Sequence, residues 1–462
     1  GGCMSLPRSS QRILDAQRRR AARVLDFLIK DLGADHAEVR LDHGQTLSAS
    51  VRNGALELLS EAQSESLSLR VICDNRVAAV TTSDLRPGAL EAFLARAVEL
   101  AQLAEEDPHA EPPPPRALAR RWIDLDLFDP GIRRLTADRA IRLAILAESA
   151  ALAADRRISA SGGALCSRAL GHSLLATSGG FVGPIATSRV SLRAHVIAED
   201  TTGRKRSGHY WSGGRHLAHL EPPEAVGREA THRAVRSLGA GPVPTGVYPV
   251  IFSAEAAAGV IGLVASCLLG DAVARDRSYL AHRLGARVAS PHVTLVDDPL
   301  RVRGPASRAF DGEGRATRKN VLVRHGQLLG FLLDTQSARR LDLRPSGSAG
   351  GGGGTPHPTA SNFYLRPGRR GPRALLEGVR RGLYVRTTLG HGFDPGSGYF
   401  SRGAEGALIE DGELTRPVAE ITISRTLDEL LHGVDAVASD FELRTAVAAP
   451  SFRVDAMTIA GT

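Results

Sequence analysis

The side chains best suited to chemistry crowd into GHYWSGGRHLAHL, where His209, His216 and His219 stand close together. A histidine-rich run can hold a metal, but gaps of seven and then three residues across a Gly-Gly break match no common zinc spacing. Glu221 is the one carboxylate nearby, so surface or hydrogen-bonded imidazoles are the expectation. His282, His292, His391 and His432 are isolated. Ser401 sits in GSGYFSRG, residues 396–403, which lacks the G-x-S-x-G nucleophile elbow and offers no His/Asp partner. The glycine run at 350–354 has no following Lys-Ser/Thr and is not a phosphate-binding loop. Asp297 and Asp298 precede Pro299 and read as a strand-end turn, with a cation site as the alternative. No nucleophile, base and orienting group stand at interpretable spacing. A self-sufficient hydrolase would have to use residues that spacing does not reveal.

The elements that must position such residues belong to several domains, because 462 residues exceed one compact core. A hydrophobic fraction of 42% fits a globular chain. No apolar run approaches the roughly 20 residues needed to span a bilayer, so no membrane segment is expected. No secretory signal is apparent; Met4 reads as a natural start, with Gly1 to Cys3 an appended remnant. Cys3, Cys73, Cys166 and Cys267 form no CxxC pair and read as small buried or free thiols of a reducing, cytoplasmic setting. The net charge of +8 invites a nucleic-acid reading, yet the cations are scattered and lysine occurs only at positions 30, 205 and 319. The dense set Arg18, Arg19, Arg20 and Arg23 lies on an amphipathic helix and reads as its solvated face.

Periodicity predicts a helix from about Ser10 to Leu32, then strands broken by turn pairs His43-Gly44 and Asn53-Gly54. A second helix opens at Pro87, with Asp84 or Ser83 as its cap. The segment 105–116, EEDPHAEPPPPR, should be extended and solvated. Thr136 should cap a third helix, alternating strands follow, and the prolines of EPPEAVGREATHRAVRSLGA suit a helical first turn. Beyond Tyr248 a strand, YPVIFS, runs into the helix AEAAAGVIGLVASCLLG, and the rest is chiefly β, with hairpin turns at His325-Gly326 and Asp411-Gly412. The low-complexity stretch 346–358 reads as a mobile loop. The fold class expected is α+β: an N-terminal unit over 1–104, a Pro-rich linker over 105–120, a central unit over 121–240 and a β-rich C-terminal domain over 241–462.

Several segments together resemble the TldD/PmbA family. They include VRNGALELLSEAQSESLSLRVICDNRVAAVTTSDL, SGHYWSGGRHLAHL, VTLVDDPL, FDGEGRATRKNVLVRHGQLLGFLLDTQSARRL, SNFYLRPG, GSGYFSRGAEGALIEDGELTRPVAEITI and DFELRTAVAAPSFRVDAMTIAG. The resemblance runs in order along nearly the whole chain and implies a division of labour. TldD-type chains carry a helical HExxxH motif and a later cysteine, whereas TldE/PmbA-type chains lack both. In the motif, histidines on adjacent helical turns bind one zinc ion, a thiolate adds another ligand, and the glutamate takes a proton from the metal-bound water.

Aligned on the helix after YPVIFS, the motif's first histidine falls on Ala254, its glutamate on Glu255 and its second histidine on Gly259. Both ligands are absent, and no cysteine occurs from Thr355 to Thr462. Glu255 reads as a first-turn acid favoured by the helix dipole. The resemblance therefore implies a pseudo-enzyme subunit with no cofactor of its own. Its expected partner is a TldD-like chain holding the zinc, or else a second copy of itself, and its substrate an unfolded or leader peptide. Tyr399, Phe400, Ser401, Arg402 and Gly403 are the expected peptide-facing segment. A DNA- or gyrase-associated regulator, as the family's older name modulator of DNA gyrase suggests, is the alternative, supported only by a pI near 9.8.

Overall fold

The computed structural model describes residues 6–351 and 354–462; the expectations for Met4 and Cys3 fall outside them. The first amphipathic pattern forms helix α1 (Arg8–Asp26), prolonged by a wider turn, Phe27–Asp31. Leu14, Ala21, Val24 and Leu28 of this stretch are buried, and Arg18, Arg19 and Arg23 are exposed.

Two very long strands follow, β1 (His36–Arg52) and β2 (Ala55–Cys73), then β3 (Arg76–Thr82). Asn53 and Gly54 join the first two with φ of 52° and 75°, the left-handed pair that a tight hairpin needs. The turn expected at His43-Gly44 does not exist. Both residues lie in the middle of β1, paired on one side with Glu65 and Ser64 and on the other with His172 and Gly171. Glycine serves close packing there, since a Cβ would come within 2.9 Å of Ser64 Oγ.

Helix α2 (Pro87–Leu103) starts at its proline but has no side-chain cap, because Asp84 pairs with the Arg86 guanidinium at 2.9 Å. Helix α3 (Ala137–Ala153) is capped by Thr136 as expected. Strands β4 (Ile158–Thr177), β5 (Val182–Glu199) and β6 (Lys205–Gly214) lead to helix α4 (Pro223–Val235), with proline in its first turn. All six strands form one antiparallel sheet in the order β3-β2-β1-β4-β5-β6. Helices α1 and α2 cover one end and α3 and α4 the other, each pair over its own apolar cluster.

The segment 105–116 is largely extended and mostly exposed, as expected, and it is also strapped to the rest of the chain. Asp107 accepts from Gln336 at 2.6 Å and Arg340 at 2.7 Å, Arg70 donates to the Ala110 carbonyl at 2.8 Å, and Ala110 is buried.

In the C-terminal part, strand β7 (Gly246–Phe252) runs into helix α5 (Ala254–Cys267), whose N-terminus is capped by the Ser253 hydroxyl. β7 lies between strands Arg381–Leu389 and Phe452–Ala460, and the strands Glu413–Thr426 and Tyr399–Glu410 extend that sheet. A second sheet of shorter strands includes Leu295–Asp297 and Phe363–Leu365, and α5 packs against both sheets. Phe252, Phe363, Phe400 and Phe452 are fully buried in the core so formed. Over its described residues, 346–358 is not the loose loop its composition suggests. Ser346 and Ser348 are buried, the Ser346 hydroxyl accepts from the Leu333 amide at 2.6 Å, and Ala349–Gly350 pairs with His357–Pro358. Among the described residues no helix is long and apolar enough to cross a membrane. The α+β class and the β-rich C-terminal region expected from the sequence are the architecture found.

Candidate functional site

The head of α5 is where a strand ending in buried Phe252 gives way to a helix capped by Ser253. Ala254 is half-buried there, while Glu255 and Gly259 are exposed on the same helix. The Glu255 carboxylate accepts from Arg233 of α4 at 2.8 Å, and Arg233 is itself held by Glu229 at 2.9 Å. Glu255 thus ties α5 to α4 in addition to sitting in a helical first turn. A Cβ at Gly259 would meet nothing nearer than Thr388 Oγ1, at 3.9 Å. Space for a side chain exists, but no donor occupies it. The zinc that the family implies does not fit these residues: Ala254 and Gly259 bring neither nitrogen nor sulfur, and Glu255 alone cannot complete a ligand set. Cys267, at the other end of α5, is buried, and burial pushes its thiol up to about 12, away from the thiolate a metal would need. Cys73 and Cys166 are likewise buried and free.

The expected peptide-facing segment begins the strand Tyr399–Glu410. Its alternation divides it: Tyr399 is exposed and Phe400 is in the core. The Ser401 amide donates to the Gly392 carbonyl at 2.9 Å, and the Arg402 guanidinium lies over the Phe400 ring at 5.8 Å. Gly403 pairs with Leu389, and Thr388, the neighbour of Gly259, pairs with Ala404. The end of one strand therefore brings Gly259 and Gly403 close. Tyr399 lines a separate shallow cavity with Val247, Arg425 and Glu429.

The histidines of the dense run part company. His209 lies in β6 opposite His195. His216 contacts the Asp126 carbonyl at 3.0 Å and its carboxylate at 3.2 Å. The His219 ring is 5.7 Å from that of His216, and burial, followed by the nearby His216 and Arg303, lowers its pKa. Among the described residues no group of three or more His, Cys, Asp or Glu side chains is arranged to hold a metal. His219 instead lines a cavity with Arg189 and Arg215, residues that no spacing rule could have grouped. Asp297 ends a strand and accepts from the Ser361 amide at 2.6 Å, and Asp298 lies 3.6 Å from Lys319. Both carboxylates are thus engaged within the chain.

Three family descriptions match in order: PmbA/TldA metallopeptidase domain 1 over residues 37–101, the central domain over 130–238 and the C-terminal domain over 245–461. The metalloprotease PmbA of Escherichia coli O157:H7 is 32% identical over 428 residues, 93% of each chain. A metalloprotease TldD homolog of Haemophilus influenzae is 28% identical over 357 residues, 72% of this chain and 74% of that one. Among solved structures, a Bacteroides thetaiotaomicron protein named as a modulator of DNA gyrase aligns with a TM-score of 0.90 at 26% identity, covering 97% of this chain and 99% of that one. TldE from Thermococcus kodakarensis shares the fold, with a TM-score of 0.84 at 20% identity over 96% of this chain and 100% of that one.

Proposed function

This chain belongs to the PmbA/TldD metallopeptidase family, and from that premise we propose that it is the non-catalytic, TldE/PmbA-type subunit of a two-subunit zinc peptidase. The observation that carries the proposal is the head of α5. Ala254 and Gly259 stand where two imidazoles would have to be, and Glu255 is engaged by Arg233. Without metal-bound water, a carboxylate at this place has no proton to take. The zinc belongs to a TldD-like partner, and this chain completes the wall of a chamber that admits unfolded or leader peptide. Extended peptide binds there through its main chain, a mode tolerant of sequence.

A partner surface is supported by the outer half of β2. Strand β3 pairs with Leu67–Cys73 of β2, so among the described residues no strand pairs with the outer edge of β2 from Ala55 to Ser66. Leu56, Leu58 and Leu59 are 46%, 60% and 43% exposed there. An open edge carrying three leucines invites pairing with other chains unless something covers it, and a partner subunit is that cover.

The test is elemental zinc analysis and peptide cleavage by the purified chain, alone and mixed with a TldD-like chain. Expected are substoichiometric zinc and negligible cleavage alone, with cleavage in the mixture. Stoichiometric zinc with robust cleavage by the chain alone would overturn the proposal.

A further inference from the structure

Where β5 and β6 meet two loops of the C-terminal part, a cavity of about 280 Å³ opens. Its wall carries Arg189, Arg215, His219, Arg303, Glu442 and Arg444. Two of the four guanidiniums are already neutralised: Arg303 by Asp126 at 2.5 Å, and Arg444 by Glu442 at 2.8 Å and Glu221 at 3.1 Å. The other two are not. Arg215 spends its donors on main-chain carbonyls, those of Gly304 and Ser188 at 3.4 Å and of Pro305 at 2.6 Å. Those contacts fix the guanidinium plane without cancelling its charge. The Arg189 side chain has no ion pair or hydrogen bond among the described residues. Burial, then the Arg189 charge, lowers the Arg215 pKa to about 10, so Arg215 remains a cation at neutral pH in a poorly solvated place beside the exposed Arg189.

Glycine shapes the wall beside them. A Cβ at Gly214 would fall within 2.3 Å of His219 Nδ1, so the ring reaches the cavity only because position 214 has no side chain. The lowered pKa of His219 keeps that imidazole neutral, able to accept or donate one hydrogen bond.

We propose that this cavity binds a carboxylate of the peptide, either its C-terminus or an acidic side chain, with Arg189 and Arg215 as the charged partners and His219 as a third polar contact. The planar fork of arginine matches two carboxylate oxygens, and such bonds are the stronger class. The proposal rests on the peptide-handling role proposed above. It adds to main-chain binding a fixed anchor that selects for charge.

The test uses the full chain and follows its thermal unfolding, since a ligand bound to the folded form raises the midpoint. The probes are N-acetylglycine for a C-terminal carboxylate, N-acetylglutamate α-amide for a side-chain carboxylate, N-acetylglutamine α-amide as the uncharged match, and inorganic phosphate. One or both carboxylates should raise the midpoint while the uncharged amide does not, and the responding probe names the source. Arg189→Ser, at an exposed position, should weaken the fitted affinity by about tenfold or more, the scale of losing one charge-assisted partner. Arg193→Ser, which removes the same charge from β5 outside the cavity, should leave the affinity unchanged. No carboxylate response, a response to phosphate alone, or equal losses in the two variants would overturn the assignment. Fluorescently labelled unstructured peptides separate this outcome from failure of the broader reading. Binding indifferent to peptide carboxylates sinks the anchor but leaves the subunit role, whereas small carboxylates that bind while no peptide does leave the cavity and sink the peptide role.

Discussion

Glu313 is a carboxylate walled in by residues both near it and far from it in sequence. It is buried, one of its oxygens accepts from the Thr335 amide at 3.0 Å and the Thr335 hydroxyl at 2.6 Å, and it feels the charges of Asp311, Asp334 and, from β1, Glu38. The cations around it are committed elsewhere: Arg70 to Glu38 at 3.0 Å, Arg315 to the Thr335 hydroxyl at 3.0 Å, and Arg308 to the Thr359 carbonyl at 2.8 Å. Burial first and the Asp311 charge second raise the Glu313 pKa, and burial raises those of Asp311 and Glu38 too. A raised folded value means that the native chain keeps protons which the unfolded chain has released. The stability so contributed is complete below the ordinary carboxylate range and is lost as pH rises through the raised values. Each tenfold gain in proton affinity on folding is worth about 1.4 kcal/mol. Urea unfolding between about pH 6 and about pH 8.5 should show stability falling with pH, and Glu313→Gln, which keeps an oxygen for Thr335, should flatten that fall. Identical pH profiles for the two proteins would refute the assignment. At this scale the vacated ligand positions, Ala254 and Gly259, were legible in the sequence, because lacking a donor is a property of residue type. The enclosure of Glu313 was not, since it needs β1 of the N-terminal unit and the short helix Thr335–Arg340 to fold against it together.

Individual elements follow local chemistry, except where another element overrides it. Asn53-Gly54 and Asp411-Gly412 turn the chain as their types suggest, with φ of 52° and 75° at the first pair and 47° and 81° at the second. His43-Gly44 carries a similar signal and does not turn, because β1 has a hydrogen-bonded neighbour on each side and the glycine answers a close approach by Ser64. Neither neighbour is visible locally. Segment 105–116 makes the same point: its prolines favour an extended shape, but what it touches is decided by Gln336, Arg339 and Arg340, more than two hundred residues on. The strap can be loosened on its own. Asp107→Ala removes the acceptor for both Gln336 and Arg340, partly exposed contacts whose loss should cost no more than about 1 kcal/mol of global stability. Limited proteolysis within 105–116 should nevertheless become several-fold faster, because local opening sets cleavage of such a segment. A cleavage rate unchanged by the substitution would show that the prolines and the Arg339 contacts to this segment hold it alone.

For the molecule as a whole, the decisive feature is that the first two units share a sheet. β1 pairs with β4 from Glu38 opposite Thr177 to Val51 opposite Ala164, so the boundary that the Pro-rich segment suggests in the chain is not a boundary in the sheet. The cores are shared as well. Leu174 and Ala176 of β4 belong to the cluster under α1 and α2, and Leu47, Ala49 and Val51 of β1 belong to the cluster under α3. The C-terminal part adds a smaller seam, in which Phe310 packs on Trp122 and Phe181 with ring centroids 5.1 Å and 4.9 Å apart. These contacts rank the cuts the chain can tolerate. A fragment of residues 1–104 keeps α1, α2 and three strands but loses Leu174 and Ala176 from its core. It also bares the edge of β1 that β4 covers, a template for aggregation. A fragment of residues 1–240 keeps the entire sheet and both clusters; it exposes the aromatic seam and frees the polar contacts that Asp107, Arg215 and Arg233 make to the C-terminal part. Expressed separately, the longer fragment should be soluble and unfold cooperatively at a lower midpoint than the full chain, and the shorter one should aggregate or show no cooperative transition by circular dichroism. A monomeric, cooperatively folding 1–104 fragment would mean that α1 and α2 stabilise their three strands unaided, and that the shared sheet is a contact between two independent units and not a condition for folding either.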